Sequence, residues 1–274
     1  MIVQVASDGK SAFIISQQDH ASVSGVFASL FGNDVFERLD PEEAMVYVAA
    51  HHDDGWEEID QKASYDPRTG FIYHLTQTPM ALLLDSGNKS PNANEAHHPY
   101  SGIISSMHTY GLYHGRYGLS DKVYIDMIGD EWVDKVKNML SVELERQARL
   151  KNQFKEMGQE SLVKEENLFR NYKLLQFFDT LALYIQTVAP DQMTDSQFLN
   201  VPQSKQTDSD ITATFMAPNL IELNPWPFKG DHFEVSTRGR VMKKAEAGQS
   251  AEAVRSEYLN SPASEQIYQF QRGN

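Results

Sequence analysis

The densest chemistry in the chain is the block His51-His52-Asp53-Asp54-Gly55-Trp56. A histidine followed directly by an aspartate at a helix C-terminus aims a nitrogen and an oxygen donor at one cation, and the glycine two residues on lets the chain turn away. Three further polar residues interrupt apolar helix faces. His20 shares a stripe with Val23, Phe27 and Leu30; His108 follows Ile104 and Met107; Asp179 falls in the stripe Leu168, Tyr172, Leu175, Ala182, flanked by Phe177 and Phe178. An ionised aspartate on such a face costs several kcal/mol unless it is paired or bound to a cation. A shared metal centre satisfies His20, His52, His108 and Asp179 at once. The chain has 0 cysteines, so any metal is held by nitrogen and oxygen, a donor set that suits iron, manganese and other first-row divalent ions.

The elements that must position these residues read as follows. Short apolar runs at 2–6 and 11–16 flank Asp8-Gly9, a hairpin signal. From about residue 18 the period becomes helical, and Gly32-Asn33 ends that helix. Asp40 is suited to cap the next helix, with Pro41 at its first position and Glu42 and Glu43 at the positive end of its dipole; its stripe Met45, Val48, Ala49 leads to His52. A helix starts near Pro79, residues 85–100 read as a surface loop, and Ser101 can cap the helix that carries His108. Long helices are expected over 121–157 and 161–189. Residues 191–210 read as a polar linker, 211–217, 220–224 and 232–236 as strands, and 245–274 as a polar tail with one short helix at 250–259. The expectation is one domain over 1–274, mainly α. A helical core over 17–190 would be joined by a small antiparallel sheet built from 1–16 and 211–240.

Composition bounds the function. With 38 Asp+Glu against 24 Lys+Arg the net charge is −14, which disfavours nonspecific binding to nucleic acid or an anionic membrane surface. The 41% hydrophobic content marks a folded chain. No basic, apolar leader and no stretch long enough to span a bilayer is visible, which leads to the expectation of a cytoplasmic protein. Phosphate-loop, dinucleotide-binding and serine-hydrolase signatures are missing.

The His-Asp pair, the histidine one helix upstream and the distant aspartate together resemble the metal motif of the HD-domain superfamily. His52-Asp53-Asp54-Gly55 is similar to the superfamily's His-Asp-x-Gly, His20 to its lone first histidine, and Asp179, in Phe178-Asp179-Thr180-Leu181, to its last ligand. Members with two metal ions carry two more histidines between the pair and the last aspartate, a role the resemblance gives to His74 and His108, with Asp53 bridging the ions. The chain departs from many HD hydrolases at Trp56, where a basic residue is common. It also resembles a bacterial family of uncharacterised proteins sharing Gln17-Gln18-Asp19-His20, the His51–Trp56 block and Pro225-Trp226-Pro227-Phe228.

The HD resemblance implies a metal-dependent hydrolase, acting on a phosphate ester or anhydride through two divalent ions, iron or manganese. Asp53 would sit between the ions, and Asp54 or His51 would accept the proton. Arg116 is the leading anion-binding candidate, with Trp56, His114 and Lys173 as further residues facing a small, anionic substrate. Two alternatives are a diiron oxygenase using the four-histidine, two-aspartate set and a non-enzymatic module with a structural metal.

Overall fold

The computed structural model describes residues 1–273. It overturns the expectation of a mainly α chain with a small antiparallel sheet. About half of the chain is helical, and a seven-stranded mixed sheet curls into a half-barrel beside the helices. The strands are β1 (Ile2–Val5), β2 (Ser11–Ile15), β5 (Ser196–Pro202), β6 (Asp208–Ala217), β7 (Leu220–Asn224), β8 (His232–Lys243) and β9 (Ala263–Arg272), in the spatial order β1-β2-β8-β9-β7-β6-β5. All neighbours are antiparallel except β7 and β9, which run parallel. A two-stranded ribbon, β3 (Tyr65–Asp66) with β4 (Phe71–Ile72), stands apart.

Two of the seven strands lie in segments that read as linker and tail. In β9 the period-two signal is present but diluted: Tyr268 and Phe270 are buried, while glutamines and a glutamate alternate with them on the other face. A half-exposed strand needs no more apolar residues than that. In β5 Phe198 and Val201 face inward, with a bulge between them that breaks the alternation.

The helices are α1 (Gln17–Leu30), α2 (Glu42–His51), α3 (Glu57–Lys62), α4 (Met80–Ser86), α5 (Lys89–His97), α6 (Pro99–Tyr113), α7 (Gly115–Gly118), α8 (Asp130–Glu156), α9 (Glu165–Gln186) and α10 (Ala251–Asn260). The segment read as a surface loop is therefore mostly α4 and α5. Pro99 begins α6, where its missing N–H costs nothing, and His98 caps that helix by accepting from the Tyr100 N–H. At α1 the Ser16 hydroxyl accepts from the Asp19 N–H at 3.0 Å and donates to the Asp19 carboxylate at 2.6 Å.

The core lies where α1, α2, α6 and α9 meet one another and the concave sheet. Phe27, Phe31, Phe177, Phe178, Phe228 and Phe270 form a continuous aromatic cluster there. The Pro225–Phe228 segment works as a clasp. Trp226 and Phe228 are buried, Phe228 pairs with Phe31 as an isolated bridge, and the Gly32 N–H donates to the Pro227 carbonyl, tying the end of α1 to the sheet.

Candidate metal centre

Four helices bring the proposed ligands together. His20 lies in the first turn of α1, His52 closes α2, Asp53 follows it, His108 is mid-way along α6, and Asp179 is mid-way along α9. Gly55 lets the chain leave this point. A Cβ there would fall 2.8 Å from the Ser86 carbonyl and from the Ser90 N–H nitrogen, and the Gly55 N–H donates to the Ser90 hydroxyl. The glycine is thus required by close approach of the α4–α5 corner rather than by a left-handed turn.

His20, His52 and Asp179 form one group of potential ligands, and His52, Asp53 and His108 a second, with donor atoms in each within 4.8 Å of one another. His20 Nε2 is 3.1 Å from Asp179 Oδ1, and His52 Nε2 is 3.9 Å from the same oxygen and 3.6 Å from Asp53 Oδ2. Donors about 2.1 Å from a single ion are about 3.0 Å apart at a right angle and about 3.4 Å apart at the tetrahedral angle; the His20–Asp179 pair falls in this range, and the two His52 separations lie above it and correspond to wider angles about an ion.

The proton positions also match. His52 Nδ1–H donates to the Ala49 carbonyl at 2.9 Å, which leaves Nε2 with its lone pair toward the centre; that atom is buried and has no hydrogen-bond partner. A buried nitrogen without a partner is costly, and a cation is one group that would satisfy it. His20 Nδ1–H donates to Gln186 Oε1 at 2.7 Å, so its Nε2 can face the Asp179 oxygen favourably only with a second proton or with a cation between them. Gln17 Nε2 donates to Asp53 Oδ2 at 3.0 Å.

Electrostatics follow from this crowding. Burial works to raise the Asp179 pKa, but the hydrogen bond to His20 and the three imidazoles outweigh it and hold the carboxyl well below the usual range. Burial would lower the His20 pKa, and Asp179 outweighs that and raises it. Burial pushes the Asp53 carboxyl up against the pull of His52 and His20. His108 is drawn down to about 3, chiefly by burial.

The other sequence-derived candidates fall elsewhere. His74 accepts from the Thr76 N–H at the start of a short 3₁₀ turn and is in neither ligand group. His51 and Asp54 bind each other at 3.0 Å on the solvent side, with His51 stacked on Tyr47. Trp56 is half-buried in the 3₁₀ turn after Asp53. His114 stacks on Tyr110, and Lys173 is paired with Asp208. Arg116 lines an open groove of ≈ 440 Å³ that runs along α9 and faces β5, together with Lys173, Gln176, Phe177, Thr180 and Leu183. Gln176 joins this groove to the centre, because its amide is 2.8 Å from His108 Nδ1.

Sequence reasoning missed the supporting glutamines Gln17, Gln176 and Gln186. A signal existed for two of them: Gln176 and Gln186 lie three residues before and seven after Asp179, on the same side of α9.

A family model described as a protein of unknown function (DUF3891) matches residues 1–244. The chain belongs to the DUF3891 family. In this member the family match takes in every residue of the centre and stops before α10 and β9. No curated protein and no solved structure matches the chain. Among the described residues, no helix is long and apolar enough to cross a membrane.

Proposed function

We propose that His20, His52, Asp53 and Asp179, with His108 adjoining, hold one divalent first-row ion such as manganese or iron, and that the protein is a cytoplasmic metal-dependent hydrolase of a small phosphate ester or anhydride. The observation that carries this reading is the orphaned Nε2 of His52, enclosed by carboxylates and imidazoles at distances that suit coordination. One ion is preferred to the two implied by the HD resemblance, because both ligand groups share His52 and an imidazole nitrogen has a single lone pair to give. The diiron alternative draws on His74, which caps its own turn instead.

When bound, a divalent ion polarises an ester and acidifies water beside it. The chain supplies the rest. The Ala49 carbonyl and Gln186 fix the tautomers of His52 and His20, so both present Nε2 without rearrangement. Asp53 has a side chain 13% exposed against 7% or less for His20, His52 and Asp179, so it marks the open side. Its Oδ1 is not engaged by Gln17 and is the oxygen left to accept a proton from an attacking water. Asp53 therefore fits the role of base better than His51 or Asp54, which are committed to each other.

Metal analysis of the purified protein tests the reading. The expected result is one equivalent of manganese or iron, lost in His52→Ala and Asp179→Ala, together with metal-dependent hydrolysis of a generic phosphate ester. A metal content unchanged by both substitutions would refute the site; a bound metal without hydrolysis of any phosphate ester would refute the activity.

A further inference from the structure

Asp53 differs from His20, His108 and Asp179 in that no helix holds it. It lies between the end of α2 at His51 and the 3₁₀ turn that starts at Asp54, with φ −112° and ψ 15°, outside the helical region. The place of its carboxylate therefore depends on what fixes the backbone on either side. The last carbonyls of a helix have no partner within the helix. Here the Asn94 side-chain N–H donates to the His51 carbonyl at 2.9 Å, and the Ser90 hydroxyl accepts from the Gly55 N–H at 2.8 Å. The two gripped groups sit two residues before Asp53 and two after it. Both gripping side chains are buried, and they stand one turn apart on the same face of α5. Asn94 also donates to the Ser90 carbonyl at 3.0 Å, which ties its amide to its own helix.

A clamp is only as fixed as the helix that bears it. The sequence of α5 has no apolar stripe, and its buried residues are Ser90, Pro91 and Asn94. Charge holds it instead. Glu95 accepts from Arg146 and, at 2.8 Å, from Arg149, both on α8. Arg146 Nε donates to Glu143 at 3.0 Å, and Glu143, fully buried, also accepts from the Asn88 amide at the start of α5. Such a buried ionic network is weak evidence for stability, because its desolvation offsets much of its attraction, but its bonds are directional and define one register. It seats α5 on α8 in one position, and α5 in turn seats the backbone around Asp53.

We propose that Ser90 and Asn94 are positioning residues for Asp53, gripping the chain at Gly55 and His51 so that the carboxylate meets His52 and Gln17 where the centre needs it. Asp53 Oδ2 lies 3.6 Å from His52 Nε2 and 3.0 Å from Gln17 Nε2, and coordination tolerates about ±0.2 Å. Neither Ser90 nor Asn94 touches an ion or a substrate, so each acts through the backbone alone. This deepens the metal reading and rests on it for the use made of the carboxylate.

The test places Ser90→Ala and Asn94→Ala in the full-length protein, each on two backgrounds, wild type and Asp53→Asn. Manganese affinity is read by competition with a chromophoric chelator. On the wild-type background each substitution should weaken binding at least tenfold. On the Asp53→Asn background, where His20, His52 and Asp179 remain, the same substitutions should change it by less than twofold, because no carboxylate is left to place. A purely structural role would weaken both backgrounds equally, and non-additivity of this kind is what a double-mutant cycle isolates. A second readout needs no metal. The side-chain amide resonance of Gln17, which donates to Asp53 Oδ2, should shift in both variants of the metal-free protein and stay in place in Lys151→Gln, at a surface ion pair. Ser90→Ala is the smaller cut, and it decides the matter if Asn94→Ala does not fold. Equal losses on both backgrounds, or a Gln17 resonance that does not move, overturn the proposal. Wild-type protein that binds no manganese refutes the metal centre, and the Gln17 resonance still decides whether α5 places Asp53.

Discussion

Gly25→Ala should disarm the centre although no ligand is altered. In an exposed helix interior, replacing glycine by alanine gains about 1 kcal/mol. Here the ideal Cβ at residue 25 falls 2.5 Å from the Ala50 Cβ and 3.0 Å from the Ala50 Cα. Non-bonded carbons rest about 3.5–4.0 Å apart, so α1 and α2 must part by about 1 Å at this crossing, and the obstacle includes backbone that cannot swing aside. Overpacking of this kind costs about 1–3 kcal/mol, which outweighs the propensity gain at the centre of its range. The expected fall in thermal midpoint is a few degrees, at about 2–4 °C per kcal/mol for a chain near this size. The effect on the metal should be larger. His20 lies on α1 and His52 two residues beyond Ala50, while coordination tolerates about ±0.2 Å. Metal content after dialysis and the melting midpoint, measured on the same preparation, decide the matter. Gly25→Ala should lose most of its metal, and adding Ala50→Gly should recover part of it. A Gly25→Ala protein that melts higher and keeps a full equivalent of metal would show that the helix contact does not set the ligand geometry.

Gln186→Leu removes the acceptor that fixes the His20 tautomer, and metal affinity should fall about 10–100-fold by competition with a chromophoric chelator. Removing metal with a chelator should lower the thermal midpoint by about 5–11 °C when metal was present at a hundred times its dissociation constant, because that saturation adds about 2.7 kcal/mol. In metal-free protein, His108 is neutral when folded and protonates near pH 6.5 when unfolded, so its stabilisation is present above pH 6.5 and is lost as pH falls toward about 3. The stability difference between wild type and His108→Gln should therefore change by up to about 1.4 kcal/mol per pH unit below 6.5, followed by urea unfolding. The raised pKa of His20 acts in the other window, with stabilisation present below 6.5 and lost as pH rises through the raised value.

The helices that carry the ligands were legible because each buries one face against another helix, and a polar residue on such a face stands out against a 3.6-residue period. His20, His52, His108 and Asp179 stand out in that way, and the structure gathers all four with Asp53. His74 came from the resemblance rather than from any face, and it is the candidate ligand that stays outside. The sheet was less legible because β5 and β9 show the solvent alternate residues, mostly polar, and carry only two or three buried apolar groups each. The segment 85–100 misled for another reason. Its Asn, Ser and Pro content argues for a loop, yet α5 packs so closely on α6 that a Cβ on Gly102 would fall 2.8 Å from the Glu95 backbone. Tertiary contact overrode local preference there. Gln17 opens a quoted motif and Gln176 and Gln186 share a side of α9 with Asp179, yet glutamine is an ordinary surface type, and the partners these three reach across the fold are what give them a role.

The place of β9 in the sheet has a consequence for biosynthesis. It is the last of the nine strands to be made, yet it sits between β8 and β7 and joins the half that contains the N-terminal hairpin to the half that contains β5 and β6. Until it leaves the ribosome, a nascent chain holds two three-stranded pieces with bare inner edges, the exposure that invites pairing with the wrong chain. The helices bearing His20, His52, His108 and Asp179 are all complete well before that moment, and metal capture by them during synthesis would hold the N-terminal two thirds together while the sheet waits for its middle strand.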